Sequence, residues 1–325
     1  MEQTAETVMS SDGGGRLDTH LDSLARQVGS DPFDFHTEVH ATADAFAEEH
    51  RAAMASSLLQ SRHGVAREAA LGWLLDASPL VRNATASAIE HAAAADQVSG
   101  IMLRRLITLR DWLPEADRTF LDQAIKACRR SGLNIEPWPQ SQTHEVLVSG
   151  IDGAGAQSIF VLSREGRRTA IGCILIKHGV GIRDAWGRHG LFKAEVADFL
   201  AHMQEIRLWS SSLDYVRTAV AHALAVNLSS GIMPPFATLD VIETAGLHGI
   251  QPGMLSVEEV LRLLETEVDP ISIQPEIMAA LLVRSRGSCV RAQRARFLVR
   301  GRRGGRSAPW SRETVPGEAH RPGPG

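Results

Sequence analysis

REAALGWLLDASPLVRNATASAIEHA, residues 67–92, decides the fold class. Ala70, Leu71, Leu74 and Leu75 recur at helical spacing and place apolar atoms on one side of a helix. Val81, Ala84, Ala88, Ile89 and Ala92 do the same for a second helix. Between them, Ser78 is a favourable N-cap, and Pro79 suits the first helical position, where its missing N–H leaves no bond unmade. The spacing predicts two antiparallel helices, the first ending near Ala77 and the second starting at Pro79.

The stretch resembles a HEAT repeat, whose form ALGxLxDxxPxVRxxAxxAL is matched here by Ala70-Leu71-Gly72, Leu74, Asp76, Pro79, Val81-Arg82 and Ala88-Ile89. The resemblance implies an α-solenoid unit and an Asp/Arg ladder between neighbouring repeats, with Asp76 and Arg82 in the ladder positions. One such hairpin cannot bury its own apolar face, so it requires neighbours. Met102, Leu103, Leu106 and Ile107 form one further stripe. Phe120, Leu121, Ala124, Ile125 and Cys128 form another after a break at Asp111-Trp112-Leu113-Pro114. Arg129 and Arg130 favour the carbonyl end of that last helix, and Gly132 stops it. Upstream, Asp31-Pro32 opens a helical pattern that runs through Phe46 and Leu58 and ends before Gly64. Five or six helices are therefore predicted between residues 31 and 132.

After Ile135 the pattern changes. Glu136-Pro137-Trp138-Pro139 cannot continue a helix, because each proline removes a donor and restricts the residue before it. The stretch reads as a boundary between a helical domain, 31–135, and a mixed α+β domain, 136–283. Glu145–Ser149, Ser158–Ser163 and Thr169–Ile176 are short Val/Ile/Leu-rich runs separated by turns at IDGAG and REGR, which predicts a small antiparallel β-meander. TAIGCILIK is apolar on both faces and reads as a strand covered by helices on each side. Helices resume after Gly190, with stripes at Val196, Phe199, Leu200, Met203 and at Leu213, Val216, Val220, Leu224. Ser212 caps the second and Gly231 ends it, while Ser256 and Glu259 form a capping box ahead of Val260, Leu261 and Leu264. The fold class expected is thus mainly α with a small meander.

Composition excludes more than it selects. With 325 residues, 44% of them hydrophobic and 22% charged, the chain is long enough to bury a sizeable core. Cys128, Cys173 and Cys289 match no metal or redox spacing, so they imply a reducing, cytoplasmic setting and no disulfide framework. No apolar run reaches membrane-spanning length, and the acidic N-terminus lacks the basic start of a signal peptide; a membrane role is not expected. Residues 1–30 read as a loose arm. Residues 284–325 hold eleven arginines, no lysine and two acids, in a chain of net charge −4. Such a tail reads as disordered, and two origins stay open. One is a basic arm for nucleic acid through Arg294, Arg296, Arg300, Arg302, Arg303 and Arg306; the other is a non-native terminus translated from a shifted frame of GC-rich DNA.

Candidate chemistry is thin. His36-Thr37-Glu38-Val39-His40 puts two histidines one turn apart, but its glutamate is one position later than in the zinc-protease motif and lies about 100° around the helix from a general base's place. His36, His40 and Asp44 are the metal-ligand candidates against a plain solvated helix face. Lys177, His178, Arg183, Asp184 and His189 are interleaved with glycines, so Lys177, His178, Asp184 and His189 are the candidates for proton transfer and charge stabilisation against a connecting loop. No cofactor motif is present: IDGAGAQS does not satisfy GxGxxG. The function expected is a non-catalytic HEAT-like adaptor that binds another protein. An enzyme using the 177–189 loop, or a nucleic-acid-associated protein held by the tail, are the alternatives.

Overall fold

The computed structural model describes residues 31–203, 206–256 and nine scattered positions to 283. Residues up to Leu255 form one compact unit, and those from Ser256 a second. The first opens with α1 (Pro32–Ala43), where the Asp31 carboxylate accepts the Phe33 and Asp34 N–H groups at 2.7 and 3.2 Å. Then follow α2 (Glu48–Leu59), α3 (Gly64–Ala69) continued by a 3₁₀ helix (Ala70–Leu75), α4 (Pro79–Ala94), α5 (Gly100–Arg110) and α6 (Glu115–Arg130).

The Arg67–Ala92 hairpin forms, with one difference. Its first arm ends at Leu75, and the last six residues are wound as a 3₁₀ helix. Ser78 is the N-cap residue of α4, as expected, with extended backbone, but its side chain makes no capping bond. Its hydroxyl donates to Glu48 of α2, and its N–H donates to Asp76 Oδ1 at 2.7 Å. Leu71, Trp73 and Leu74 are completely buried, and Gly72 admits the His36 ring, three atoms of which would lie 2.4–2.5 Å from any added Cβ.

Two ion pairs establish how the helices lie. Arg51, in the first turn of α2, grips Asp76, just before α4, with bonds of 2.9 and 3.0 Å. Arg82, in the first turn of α4, donates to Asp117, in the first turn of α6, at 2.8 and 2.6 Å. The N-termini of α2, α4 and α6 therefore adjoin, so these helices run parallel, with α3 and α5 as returns. Of the α6 stripe, Leu121, Ala124, Ile125 and Cys128 are buried as expected, whereas Phe120 faces solvent.

The meander is larger than expected. β1 (Gln142–Ser149), β2 (Ala156–Glu165), β3 (Arg168–Lys177) and β4 (Gly181–Leu191) pair antiparallel, and β5 (Leu208–Ser210) joins β1, giving the order β4-β3-β2-β1-β5. The predicted polar loop at 177–189 is thus a correction: most of it is strand β4, and only His178–Val180 turn. Gly181 and Gly187 stand where helices press on the sheet, which is why the composition reads as loop. Helix α7 (Lys193–His202) covers one face through Val196, Phe199 and Leu200 against Phe160, Leu162 and Cys173. Cys173 is buried as predicted, and burial pushes its thiol up to about 12. Helix α8 (Leu213–Ser230), capped by Ser212 and ended by left-handed Gly231, and helix α9 (Ala237–Ala245) cover the other face.

That second face shares a single hydrophobic cluster with the helices of residues 31–130. The change at residue 136 is therefore one of secondary structure and not a break in the core. In the second unit, the Ser256–Glu259 capping box is present, each residue's N–H bonded to the other's side chain at 2.8 and 3.2 Å. The arm 1–30, the apolar residues after the capping box, Cys289 and the tail with its six candidate arginines lie outside the described residues.

Candidate functional site

Charge gathers where α9 meets β4. A cleft of about 510 Å³ opens there, with Asp31, Arg105, Glu165, His189, Asp240 and Glu243 in its wall. Asp240, in the first turn of α9, is only 4% exposed. Its carboxylate lies against Gly187 of β4, where an added Cβ would come within 1.9 Å of Oδ2. Two residues on, His189 closes the arrangement: its Nε2 is 3.0 and 3.1 Å from the Asp240 oxygens, and its Nδ1 is 2.9 Å from Glu165 Oε1. The Asp240 carboxylate, and secondarily Glu165, raise the imidazole to about 10 against the cost of its burial, so it carries a proton at neutral pH. Burial pulls the Asp240 carboxyl up in turn.

Arg105 of α5 forms the cleft's other wall. It binds Glu243 of α9 in a two-pronged contact of 3.0 and 2.9 Å, and Glu68 of α3 at 2.8 Å. Its neighbour Arg104 reaches Glu243 at 3.3 Å and two backbone carbonyls in the 136–137 stretch. One carboxylate thus holds two buried guanidiniums, tying α9 to the helical layer. Asp34 is raised by burial and then by the nearby charges of Asp31 and Asp240, a sign of crowded negative charge at this end of α1.

Of the sequence candidates, His189 belongs to this cluster and the others do not. Lys177 pairs with Gly181 at the far end of the β3–β4 hairpin, and His178 lies in the turn. At a rise of about 3.3 Å per residue the end of β3 nearest His189 is some 20 Å away. Asp184 is exposed on β4 and bonds its neighbour's N–H. The structure therefore does not bring the four together. His36 is buried between Trp73, Phe236 and Gly72, and burial lowers it to about 3. His40 pairs with Asp44 at 3.4 Å on the outside of α1. Among the described residues, the group whose ligand atoms converge is instead Asp31, His189 and Asp240, all within 4.8 Å of one another. Asp240, Glu165, Arg105 and Glu243 carry no sequence signal, because only the packing of α9 makes them neighbours.

A second feature lies at the shared end of α2, α4 and α6. Phe46 just before α2, Leu80 in the first turn of α4 and Phe120 in the second turn of α6 are 46%, 42% and 40% exposed. The acids Asp44, Glu49 and Glu115 are exposed at the same ends.

A family model described as the Y4lR second domain matches residues 47–132, from the approach to α2 through the end of α6. The chain is also similar to an uncharacterized protein, y4lR, of Sinorhizobium fredii, at 26% identity over 284 residues. That match covers 86% of this chain and 53% of the relative, so the chain spans about half that protein's length. No solved structure matches. The segment matched by the family model holds both Arg–Asp ties and, of the three exposed apolar side chains, Leu80 and Phe120, but neither His189 nor Asp240. No described helix is long and apolar enough to cross a membrane.

Proposed function

We propose that this chain is a non-catalytic adaptor whose short HEAT-like helical layer docks another protein along the edge where α2, α4 and α6 begin. The observation that carries the reading is the row of Phe46, Leu80 and Phe120. Single exposed apolar side chains are ordinary on a surface, but three on the adjoining ends of three parallel helices make a patch of the kind that marks an interaction site. The ends are held in register by Arg51–Asp76 and Arg82–Asp117, so the patch is presented on a rigid frame. Its acidic rim suits a partner segment that is apolar with basic flanks.

A photo-crosslinking residue placed at position 46, 80 or 120 in the source cell tests this. A discrete adduct from these positions, absent when the residue is placed at exposed Phe192 beside α7, is the expected result. Equal or no crosslinking at the edge overturns the reading. Replacing Phe46, Leu80 and Phe120 together by Ser should abolish the adduct formed from a crosslinker at Glu49, with little loss of stability, since these side chains are outside the core.

A further inference from the structure

The geometry points to a divalent transition-metal site formed by Asp31, His189 and Asp240, with Glu165 as the partner that orients the imidazole. The three ligands come from three separate elements, the N-cap of α1, strand β4 and helix α9, and meet at the wall of an open cleft. A metal bound at about 2.0–2.2 Å from a nitrogen and an oxygen holds those two atoms about 3.0–3.5 Å apart at ligand angles of about 90–110°. His189 Nε2 and the Asp240 oxygens stand at 3.0 and 3.1 Å, at the near end of that range, so an ion would bind beside the line joining them once the Nε2 proton has left to solvent.

Two features distinguish this group from a chance gathering of acids. The first is that Glu165 holds Nδ1 of His189 and so directs Nε2 at the carboxylates, the carboxylate–histidine arrangement that supports metal-binding imidazoles. The second is that β4 carries no Cβ at residue 187, where one would collide with the Asp240 carboxylate; the strand leaves the space that this ligand occupies. Two carboxylates with one imidazole favour Zn²⁺ or Mn²⁺ over Mg²⁺ and Ca²⁺, which prefer oxygen ligands alone. The site is independent of the docking edge, and either stands if the other fails.

The test is Zn²⁺ alone, measured on the full chain by equilibrium dialysis after chelator treatment, with elemental analysis of the bound ion. One equivalent should bind that His189→Gln does not bind. Asp31→Asn keeps an N-cap acceptor for α1 and so preserves the helix start, yet should weaken binding at least about tenfold. Glu165→Gln should weaken it by about 10–100-fold. His36→Gln and His40→Gln should leave it unchanged. With Co²⁺ as the probe, the visible spectrum should lack a thiolate charge-transfer band. No bound Zn²⁺, binding by His189→Gln equal to that of the unaltered chain, loss on His40→Gln, or a thiolate band each overturns the proposal.

Discussion

The helical layer and the junction of α9 with β4 both bury charge, but they join it over different lengths of chain. In the layer, Arg51 and Asp76 are 25 residues apart and Arg82 and Asp117 are 35 apart, each pair linking one helix start to a neighbouring one. At the junction, His189 reaches Asp240 across 51 residues, and Arg105 reaches Glu243 across 138. The acceptors are also shared differently. Arg82 donates to the carbonyls of Asp76 and Ala77 as well as to Asp117, whereas the Glu243 carboxylate serves both Arg104 and Arg105. Local ties distribute the charge; the junction concentrates it on single residues.

That difference predicts the largest effect. Glu243→Gln removes the carboxylate that two buried guanidiniums share, leaving Arg105 only Glu68 and Arg104 only backbone carbonyls, and should cost about 3–5 kcal/mol. Asp117→Asn leaves Arg82 two carbonyl acceptors and should cost only about 1–3 kcal/mol. Urea unfolding at constant m-value measures both. Equal losses would erase the distinction between the two regions.

Glycine substitutions sharpen it. Gly187→Ala would push a methyl into the Asp240 carboxylate, so it should cost about 1–3 kcal/mol through forced displacement. Gly64→Ala, at the start of α3 with its nearest neighbour 3.9 Å away, should be neutral or stabilise by up to about 1 kcal/mol. The same methyl should therefore act with opposite sign in the two regions, a result read directly from two thermal midpoints.

The same contrast explains what the sequence made legible. The helical stripes around Leu74, Leu103 and Leu121 are local periodicities, and they correspond to buried faces. The three apolar runs of the meander are equally plain. Strand β4 escapes because Gly187 answers to Asp240 and Gly181 to Asn227 of α8, so demands from distant residues replace the apolar alternation a strand would show. Helix α9 escapes because ATLDVIETA is short and Phe236 before it supplies no side-chain cap. Ser78 was legible in position but not in partner, since Glu48 lies 30 residues back. The cleft follows from these two omissions: His189 was visible as a polar residue among glycines, while Asp240 and Glu243 become partners only once α9 is placed.

His36 makes the layer, not the junction, the acid-sensitive region near neutral pH. Its folded value, about 3, lies below the 6.5 of an unfolded histidine. Between those values the unfolded chain binds a proton that the folded chain refuses, so stability is whole above about pH 6.5 and declines as pH falls toward 3. At about 1.4 kcal/mol per pH unit, the loss from pH 6.5 to 5 is about 2 kcal/mol. His36→Gln should flatten that slope in urea titrations at several pH values. An unchanged slope would place the acid sensitivity elsewhere.

The smallest effect separates charge that is buried from charge that is merely paired. Arg110 of α5 and Asp122 of α6 meet with bonds of 2.5 and 3.0 Å, but their side chains are 36% and 34% exposed. The hydrogen bonds from Arg110 hold the Asp122 carboxyl below its usual 3.8, so whatever the pair contributes is present at neutral pH and lost only in strong acid. Solvent screening limits it, and Asp122→Asn should cost about 0.2–1 kcal/mol. Added salt should shrink that cost further, because the charges of an exposed pair are screened over about 10 Å at 0.1 M. The cost of Glu243→Gln should hold nearly constant over the same salt range, since Arg104, Arg105 and Glu243 are almost fully buried. If the two losses fall in parallel as salt is added, the junction is wetter than its geometry indicates and its charges are held no more firmly than those on the surface of the helical layer.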